Sequence, residues 1–192
     1  TDWMIADSGR LTAFFRILDD IAARREKVVV FVQHFDVQDV VARAIRARYG
    51  LDHMPGKING TMPPAARQRV VTEFQDGRPG FDAVVLTGRA AGTGLTLTAA
   101  NHVVHLERWW NPAVEDQCSD RVYRIGQTKD VMVHVPLAVF REEVDPADSP
   151  FDVTLHQFLE RKRSRSQSVL APSSSGKGDQ EFIESFFGQK AD

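Results

Sequence analysis

The chain has 192 residues, of which 42% are hydrophobic and 26% are charged, an ordinary composition for a soluble globular domain with an extension. Its net charge of −2 and isoelectric point near 6.3 exclude a global basic field, so any nucleic-acid binding must come from a local patch. A single cysteine, Cys118, excludes an internal disulfide and a zinc cluster. No signal peptide opens the chain and no apolar run approaches the ~20 residues that span a bilayer, so we expect a cytoplasmic protein without a membrane partner.

The first elements follow from hydrophobic periodicity. Apolar residues recur at helical spacing over Ser8–Arg25, where the serine is the expected N-cap. The all-apolar run Val28–Val32 predicts a strand buried on both faces, as in a parallel sheet. A second helix is expected over Val37–Tyr49, with Gly50 as its end and Asp36 as one candidate N-cap.

Two shorter elements come next. Ile58–Thr61 predicts a short strand that enters a turn. Pro63 and Pro64 open a third helix, which Gly77 closes. The apolar side of this helix is expected to carry Val70, Val71 and Phe74.

The stretch from Ala83 to Gln127 organises the rest of the chain. Further strands are expected at Ala83–Thr87, His102–Leu106 and Val131–Val135. The loop after the first of them contains Gly88, Gly92 and Gly94, which let the backbone bend tightly and approach another molecule.

The helix that follows is predicted to carry a polar stripe. It begins with Asn111 as N-cap and Pro112 at its first position. Gln117, Arg121 and Arg124 fall at i, i+4 and i+7, so they are predicted to share one face. Such a face can simply be solvated, with its arginines paired to neighbouring carboxylates. The carboxylates available are Glu115, Asp116 and Asp120. It can also stabilise charge on a phosphoryl group, because the planar guanidinium never deprotonates, and the residues leave both interpretations open.

Strands and helices alternate across at least five units, which predicts an α/β fold with a mostly parallel sheet and helices on both faces. Ligands of such sheets bind beyond the carboxyl ends of the strands. The residues expected at this edge are Thr61, Arg89, Gly92 and Trp110, together with the arginine-bearing helix.

Three motifs resemble the second RecA-like lobe of the Swi/Snf family of ATP-dependent DNA translocases, in helicase superfamily two. Residues 87–95, TGRAAGTGL, resemble helicase motif V, and residues 117–127, QCSDRVYRIGQ, resemble motif VI. Trp110-Asn111-Pro112 resembles the family's W-N-P signature. The departures are Gly88 in place of Thr or Ser, Thr96 in place of Asn, and Cys118-Ser119 where a small residue such as Ala usually comes first. None of them removes an arginine.

The resemblance also covers shorter segments and implies a domain organisation. Residues 33–36, QHFD, resemble motif IV, although an ordinary loop before a helix explains them equally well. A RecA-like lobe is implied over residues 8–140 and a brace-like helical extension over residues 141–171. A flexible tail is expected over residues 172–192, because Ser173–Gly178 has the composition of a flexible linker.

The resemblance implies an ATP site between this lobe and a partner lobe. Arg121 and Arg124 correspond to arginine fingers, and Gln117 would help to order them. Gly92 and Gly94, with both arginines, are the implied ATP-binding residues. No G-x-x-x-x-G-K-[ST] loop occurs, so ATP and Mg²⁺ would be held mainly by a first lobe absent from this chain, and no metal ligand is expected here. The isolated chain is therefore expected to be inactive, and its start at Thr1 suggests an excised fragment.

The resemblance further implies that the lobe grips double-stranded DNA. Thr61 and Arg89 would contact phosphates, and Trp110 would lie against the DNA surface while Trp109 packs in the core. The implied partners are double-stranded DNA, the first RecA-like lobe and a nucleoprotein substrate, with location at the nucleoid. Two alternatives remain: a non-catalytic DNA- or protein-binding module, and a dinucleotide-binding turn around Gly92 and Gly94. The second lacks its third glycine, because Leu97 stands there.

Overall fold

The computed structural model describes residues 8–87, 94–139 and 150–167, and within them five helices pack around a five-stranded sheet. The helices are α1 (Gly9–Ala23), α2 (Phe35–Tyr49), α3 (Pro64–Gln75), α4 (Pro112–Ser119) and α5 (Phe151–Gln167). The strands are β1 (Lys27–Val32), β2 (Gly56–Ile58), β3 (Asp82–Thr87), β4 (His102–His105) and β5 (Met132–His134). None of the helices in these ranges is both long and apolar enough to cross a membrane.

The sheet is parallel throughout, in the order β2-β3-β1-β4-β5. β1 lies at its centre, where Val28 is paired with Ala83 of β3 on one side and with His102 of β4 on the other. The predicted α/β fold is thereby confirmed. Because all five strands run the same way, their carboxyl ends meet at one edge, which we call the carboxyl edge.

Both faces of the sheet are covered, as the sequence predicts. The side chains of β1 alternate between two hydrophobic clusters, one on each face. On one face Val28 and Val30 pack with the apolar sides of α1 and α2. On the other face Val29 and Phe31 pack with α3, with α4 and with the segment that precedes β4.

Three predicted helix ends are confirmed by their hydrogen bonds. Ser8 Oγ accepts from the backbone N–H of Leu11 at 3.3 Å at the start of α1. Asn111 Oδ1 accepts from the N–H of Ala113 at 3.1 Å at the start of α4. Gly50 ends α2 with a left-handed φ of +60°, a conformation that glycine adopts without strain.

Two predicted helix boundaries are wrong by one or two residues. His34, in extended backbone, is the residue that precedes α2, and Asp36 lies inside the first turn, so Asp36 is not the N-cap. A carboxylate there still interacts favourably with the helix dipole. The third helix ends at Gln75 with Asp76, and not Gly77, as its cap residue.

The strands differ from prediction at their ends. The strand expected at Ile58–Thr61 is Gly56–Ile58, because the side chain and carbonyl of Asn59 bond the next residues into a turn. The strand expected at Val131–Val135 is Met132–His134, and the one expected to reach Leu106 ends at His105. Leu106 still donates its N–H to Phe31 O at 3.0 Å.

α5 belongs to the predicted extension and is attached to the lobe near both of its ends. Asp152 forms an ion pair with Arg10 of α1 and accepts from the N–H of Ala138 at 2.9 Å. Farther along the helix, Arg163 lies 2.8 Å from Asp116 Oδ1 and 3.3 Å from Glu115 Oε2. The rest of the predicted extension and the whole predicted tail lie outside the described residues.

Candidate functional site at the carboxyl edge

The two arginines do not lie on a helix. α4 ends at Ser119, and the chain continues through residues 120–127 in successive turns, which we call the arginine turn. The prediction that Gln117, Arg121 and Arg124 share one helical face is therefore wrong. Bonds over three residues appear here beside those over four: the N–H of Val122 donates to Ser119 O at 2.9 Å, and the N–H of Tyr123 donates to the same oxygen at 3.0 Å. This tightening places Val122 in the core, where it is fully buried.

Arg121 is the more enclosed of the two arginines. Its residue surface is only 9% exposed, and its Nε atom is buried without a hydrogen-bond partner among the described residues. Buried polar atoms are nearly always bonded, because an unbonded one costs about 1–3 kcal/mol. No ion pair of Arg121 occurs among the described residues. Gln117, by contrast, is exposed on α4.

Arg124 is exposed but partly engaged with the segment that follows the glycine loop. Its Nη1 donates to Gly94 O at 2.9 Å, to Leu95 O at 3.1 Å and to Thr96 Oγ1 at 3.2 Å. Gly94 has a φ of +70°, which a residue with a side chain adopts only with strain. We call residues 94–100 the loop exit, and Arg124 ties the arginine turn to its beginning.

The carboxylates near the arginines pair with other partners. Glu115 is buried and holds Arg108 through two bonds, at 2.8 and 2.9 Å. Burial acts to raise the pKa of Glu115, but the hydrogen bonds from Arg108 and from the N–H of Trp109 outweigh it and lower this pKa. Asp116 pairs with Arg163 of α5. The interpretation in which Glu115 and Asp116 neutralise the arginines of motif VI is therefore not supported.

Thr61 lies at the carboxyl edge beyond β2, and its polar groups face Asn59. Asn59 Oδ1 accepts from the N–H of Thr61 at 3.1 Å and from its Oγ1 at 2.8 Å. Behind it, the buried Gln38 donates from Nε2 to Ile58 O at 3.0 Å and to Val85 O at 2.8 Å. Neither amide was among the predicted site residues. The contact of Asn59 could have been predicted from the sequence, since an Asn two residues before Thr61 favours such a turn.

The tryptophan pair lies where β4 meets α4. Trp110 is 45% exposed, and its ring meets the edge of Phe158 from α5 at a centroid distance of 6.5 Å. Trp109 is half-buried, with a buried Nε1. Cys118, near the end of α4, is fully buried, and burial raises the pKa of its thiol to about 12, so it is a packing residue.

The described residues bring together part of the predicted site. Gly94, Arg121 and Arg124 lie together, and Thr61 and Trp110 lie at the ends of other strands of the same edge. Arg89 and Gly92 lie outside the described residues. No group of three or more His, Cys, Asp or Glu side chains among the residues described is placed to hold a metal ion.

Comparison with known proteins gives concordant results. The family profile described as the helicase conserved C-terminal domain matches residues 10–126. The Zorya protein ZorD of Escherichia coli is 36% identical over 170 residues, which cover 85% of this chain and 15% of that protein. The chromatin-remodeling ATPase INO80 of Schizosaccharomyces pombe is 33% identical over 130 residues, 68% of this chain and 8% of that protein. The chain thus spans a small part of these relatives.

Solved structures agree with the sequence matches. The Sulfolobus solfataricus SWI2/SNF2 ATPase core in complex with double-stranded DNA superposes with a TM-score of 0.66 at 29% identity, over 92% of this chain and 35% of that one. The C-terminal part of the Fun30 ATPase domain superposes with a TM-score of 0.69 at 23% identity, over 95% of this chain and 55% of that one. The second likeness supports the fold alone.

Proposed function

Because this chain belongs to the helicase conserved C-terminal domain family, in its Swi/Snf branch, we propose that it is the second motor lobe of an ATP-dependent double-stranded DNA translocase or remodeller. The observation that carries the proposal is the arginine turn. It holds one buried guanidinium, whose Nε has no partner in the described part of the chain, and one exposed guanidinium, both beside the loop exit at the carboxyl edge. Cationic donors of this kind suit a triphosphate.

Arg121 and Arg124 act as arginine fingers in this proposal. They reach across the cleft and stabilise negative charge on the γ-phosphate, while Gln117, Gly92 and Gly94 border the same site. ATP with Mg²⁺ supplies the phosphoryl group whose hydrolysis drives the motor. A first lobe holds most of that nucleotide and its metal, because this sequence contains no phosphate-binding loop. Only Nη1 of Arg124 is bonded to described residues, so its other donors can serve the nucleotide.

The same carboxyl edge binds DNA by contacting the phosphates of the DNA backbone. Thr61 and Arg89 contact the backbone, and the exposed ring of Trp110 lies against the sugar-phosphate surface. For Thr61 to donate to a phosphate, its hydroxyl must turn away from Asn59 Oδ1, which it approaches at 2.8 Å. Such contacts give grip without sequence preference. A solved relative that contains double-stranded DNA supports this assignment, and a nucleoprotein substrate of the whole motor fits it.

The proposal is tested by changing Arg121 and Arg124 singly to Ala in the complete two-lobe motor. Each variant is expected to lower DNA-stimulated kcat by on the order of 10³, because the contacts strengthen in the transition state. The ATP dissociation constant is expected to change far less. Arg→Lys is not expected to restore turnover, since an ammonium cannot reproduce the planar fork.

Arg69→Ala is the matched control. Arg69 lies on α3, its side chain is 77% exposed, and its pair with Glu73 is loose at 3.9 Å. Turnover of this variant should equal that of the wild type. The isolated chain, with saturating duplex DNA, should release no phosphate above a buffer blank. Near-wild-type turnover of both finger variants would instead support the non-catalytic binding module.

A further inference from the structure

Gln127, the last residue of the arginine turn, has a side-chain amide that is bonded on every side. Its Nε2 donates to Ala100 O at 2.7 Å, to Thr98 O at 3.2 Å and to Val122 O at 3.4 Å. Its Oε1 accepts from the backbone N–H groups of Thr128 and Lys129, each at 3.0 Å. A primary amide has two N–H donors and one carbonyl oxygen, so this one is fully used.

These bonds join two segments that are distant in the sequence. The loop exit and the arginine turn are also linked by the N–H of Leu97, which donates to Arg121 O at 2.8 Å, and by Arg124 at the other end of the loop exit. Leu97 and Val122 are both fully buried in the same cluster. The two segments therefore form one packed unit. Along the loop exit, Arg124 binds its first residue, the backbone bond from Leu97 holds its middle, and Gln127 binds its last residue.

We propose that Gln127 is a positioning residue for Arg121. Its amide holds the arginine turn against the loop exit, and this fixes the backbone from which the Arg121 guanidinium projects. The backbone N–H groups of residues 120–123 bond back to the end of α4, so the first half of the arginine turn is held by the helix, whereas the second half is held to the lobe largely by the side-chain amide of Gln127. Displacement of a catalytic group by about 1 Å can lower a rate by as much as 10². The inference rests on the proposed function of Arg121.

Gln75 provides a matched control on the same loop exit. From the end of α3 its Nε2 donates to Thr98 Oγ1 at 3.1 Å, and its Oε1 accepts from the N–H of Ala99 at 2.8 Å. None of its described hydrogen bonds reaches the arginine turn. Loss of the Gln75 amide should therefore loosen the loop exit without freeing Arg121.

The experiment compares Gln127→Met with Gln75→Met in the complete two-lobe motor. Methionine keeps the length of the side chain and removes its donors and acceptor. We expect Gln127→Met to lower DNA-stimulated kcat by about 10-fold or more, with KM for ATP within about 2-fold of wild type. Gln75→Met should keep kcat within about 2-fold of wild type, although the thermal midpoint falls in both variants.

Hydrogen exchange gives a second measurement that does not depend on turnover. The peptide that covers residues 94–100 contains the Leu97 amide, which is bonded to Arg121 O. Within this peptide, exchange of the Leu97 amide should be faster in Gln127→Met than in Gln75→Met, whereas exchange of the Ala99 amide, which donates to Gln75 Oε1, should be faster in Gln75→Met. If Arg121→Ala abolishes turnover but Gln127→Met does not, or if both glutamine variants are equally impaired, the positioning role is wrong. If Arg121→Ala retains turnover, the proposed function fails and the positioning role with it.

Discussion

Arg121 and Arg124 stand three positions apart in the chain but meet different surroundings. An exposed ion pair contributes only about 0–1 kcal/mol, and on that basis the sequence predicts that removing either arginine leaves the lobe's stability nearly unchanged. Arg124 is exposed, but its Nη1 donates to Gly94 O, Leu95 O and Thr96 Oγ1, so loss of these hydrogen bonds must be added to loss of charge. Arg121 is 9% exposed, and its apolar stem packs inside the lobe, so loss of packing must be added to loss of charge. Kinetic data on Arg121→Ala therefore need a parallel measurement of stability.

Trp110 and Trp109 are adjacent and serve as each other's control. In the complete motor, Trp110→Ala is expected to lower DNA-stimulated turnover while the thermal midpoint barely moves, because the ring is 45% exposed. Trp109→Ala should lower the midpoint by about 4 °C or more, because Trp109 is half-buried with a buried Nε1 and truncation of a packed tryptophan costs several kcal/mol. Thermal unfolding and phosphate-release assays on both variants check this. A large fall in the midpoint of Trp110→Ala would place its ring in the core.

At the scale of the element, α4 is a short helix with a clear beginning and an early end. Asn111 and Pro112 start it, and it has only eight residues. Near its end, Ser119 Oγ donates to Glu115 O at 3.1 Å, and His105 Nε2 approaches the same hydroxyl at 3.1 Å. A serine bonded back to the preceding turn competes with helix continuation. Because α4 ends before Arg121 and Arg124, helical geometry does not require their side chains to point the same way.

One of the two carboxylates of α4 that contact Arg163 of α5, Glu115, is buried and also holds Arg108. Glu115→Ala is expected to lower the free energy of unfolding by about 3–5 kcal/mol, because it leaves the Arg108 guanidinium, whose side chain is 5% exposed, without its bidentate partner. Asp116→Ala removes a pair to Arg163 from a side chain that is 54% exposed, and should cost about 0–1 kcal/mol. Urea unfolding of both variants at neutral pH measures the difference. Equal losses would show that the buried pair has no special role.

At the scale of the whole molecule, the proposed function gives the carboxyl edge of the lobe two partners, DNA and a first motor lobe. The net charge of −2 gives no general attraction for DNA, so the proposed binding would depend on a few groups at the carboxyl edge. The described chain also covers only a small part of the length of its relatives, so a complete ATP site needs further protein in this proposal.

The isolated chain is expected to bind duplex DNA weakly and with a strong dependence on salt. Each phosphate contact releases counterions, so the logarithm of the binding constant should fall linearly with the logarithm of salt concentration. Fluorescence anisotropy with duplexes of different sequence should give equal affinities, because phosphate contacts carry no sequence information. Affinity that is unchanged between low and moderate salt would exclude phosphate contacts as its source.

The sequence by itself determined the parallel α/β sheet and most of its elements. Apolar runs such as Val28–Val32 and Ala83–Thr87 have no alternation, and only a strand covered on both faces buries them completely. Caps at Ser8, Gly50 and Asn111 were predictable as well, because a cap depends on one residue and its nearest neighbours.

Only the tertiary structure decided where the arginines point and what holds them. Helical spacing placed Arg121 and Arg124 on one face, but the burial of Val122 and the bond from Leu97 to Arg121 O favour a tighter turn over another helical one. The roles of Glu115 and Gln127 were likewise invisible in the sequence, since their partners are distant residues or backbone carbonyls that any residue type could supply. Local sequence patterns determine where helices and strands form. The directions of the side chains on those helices, strands and turns are determined by contacts between segments that are distant in the sequence.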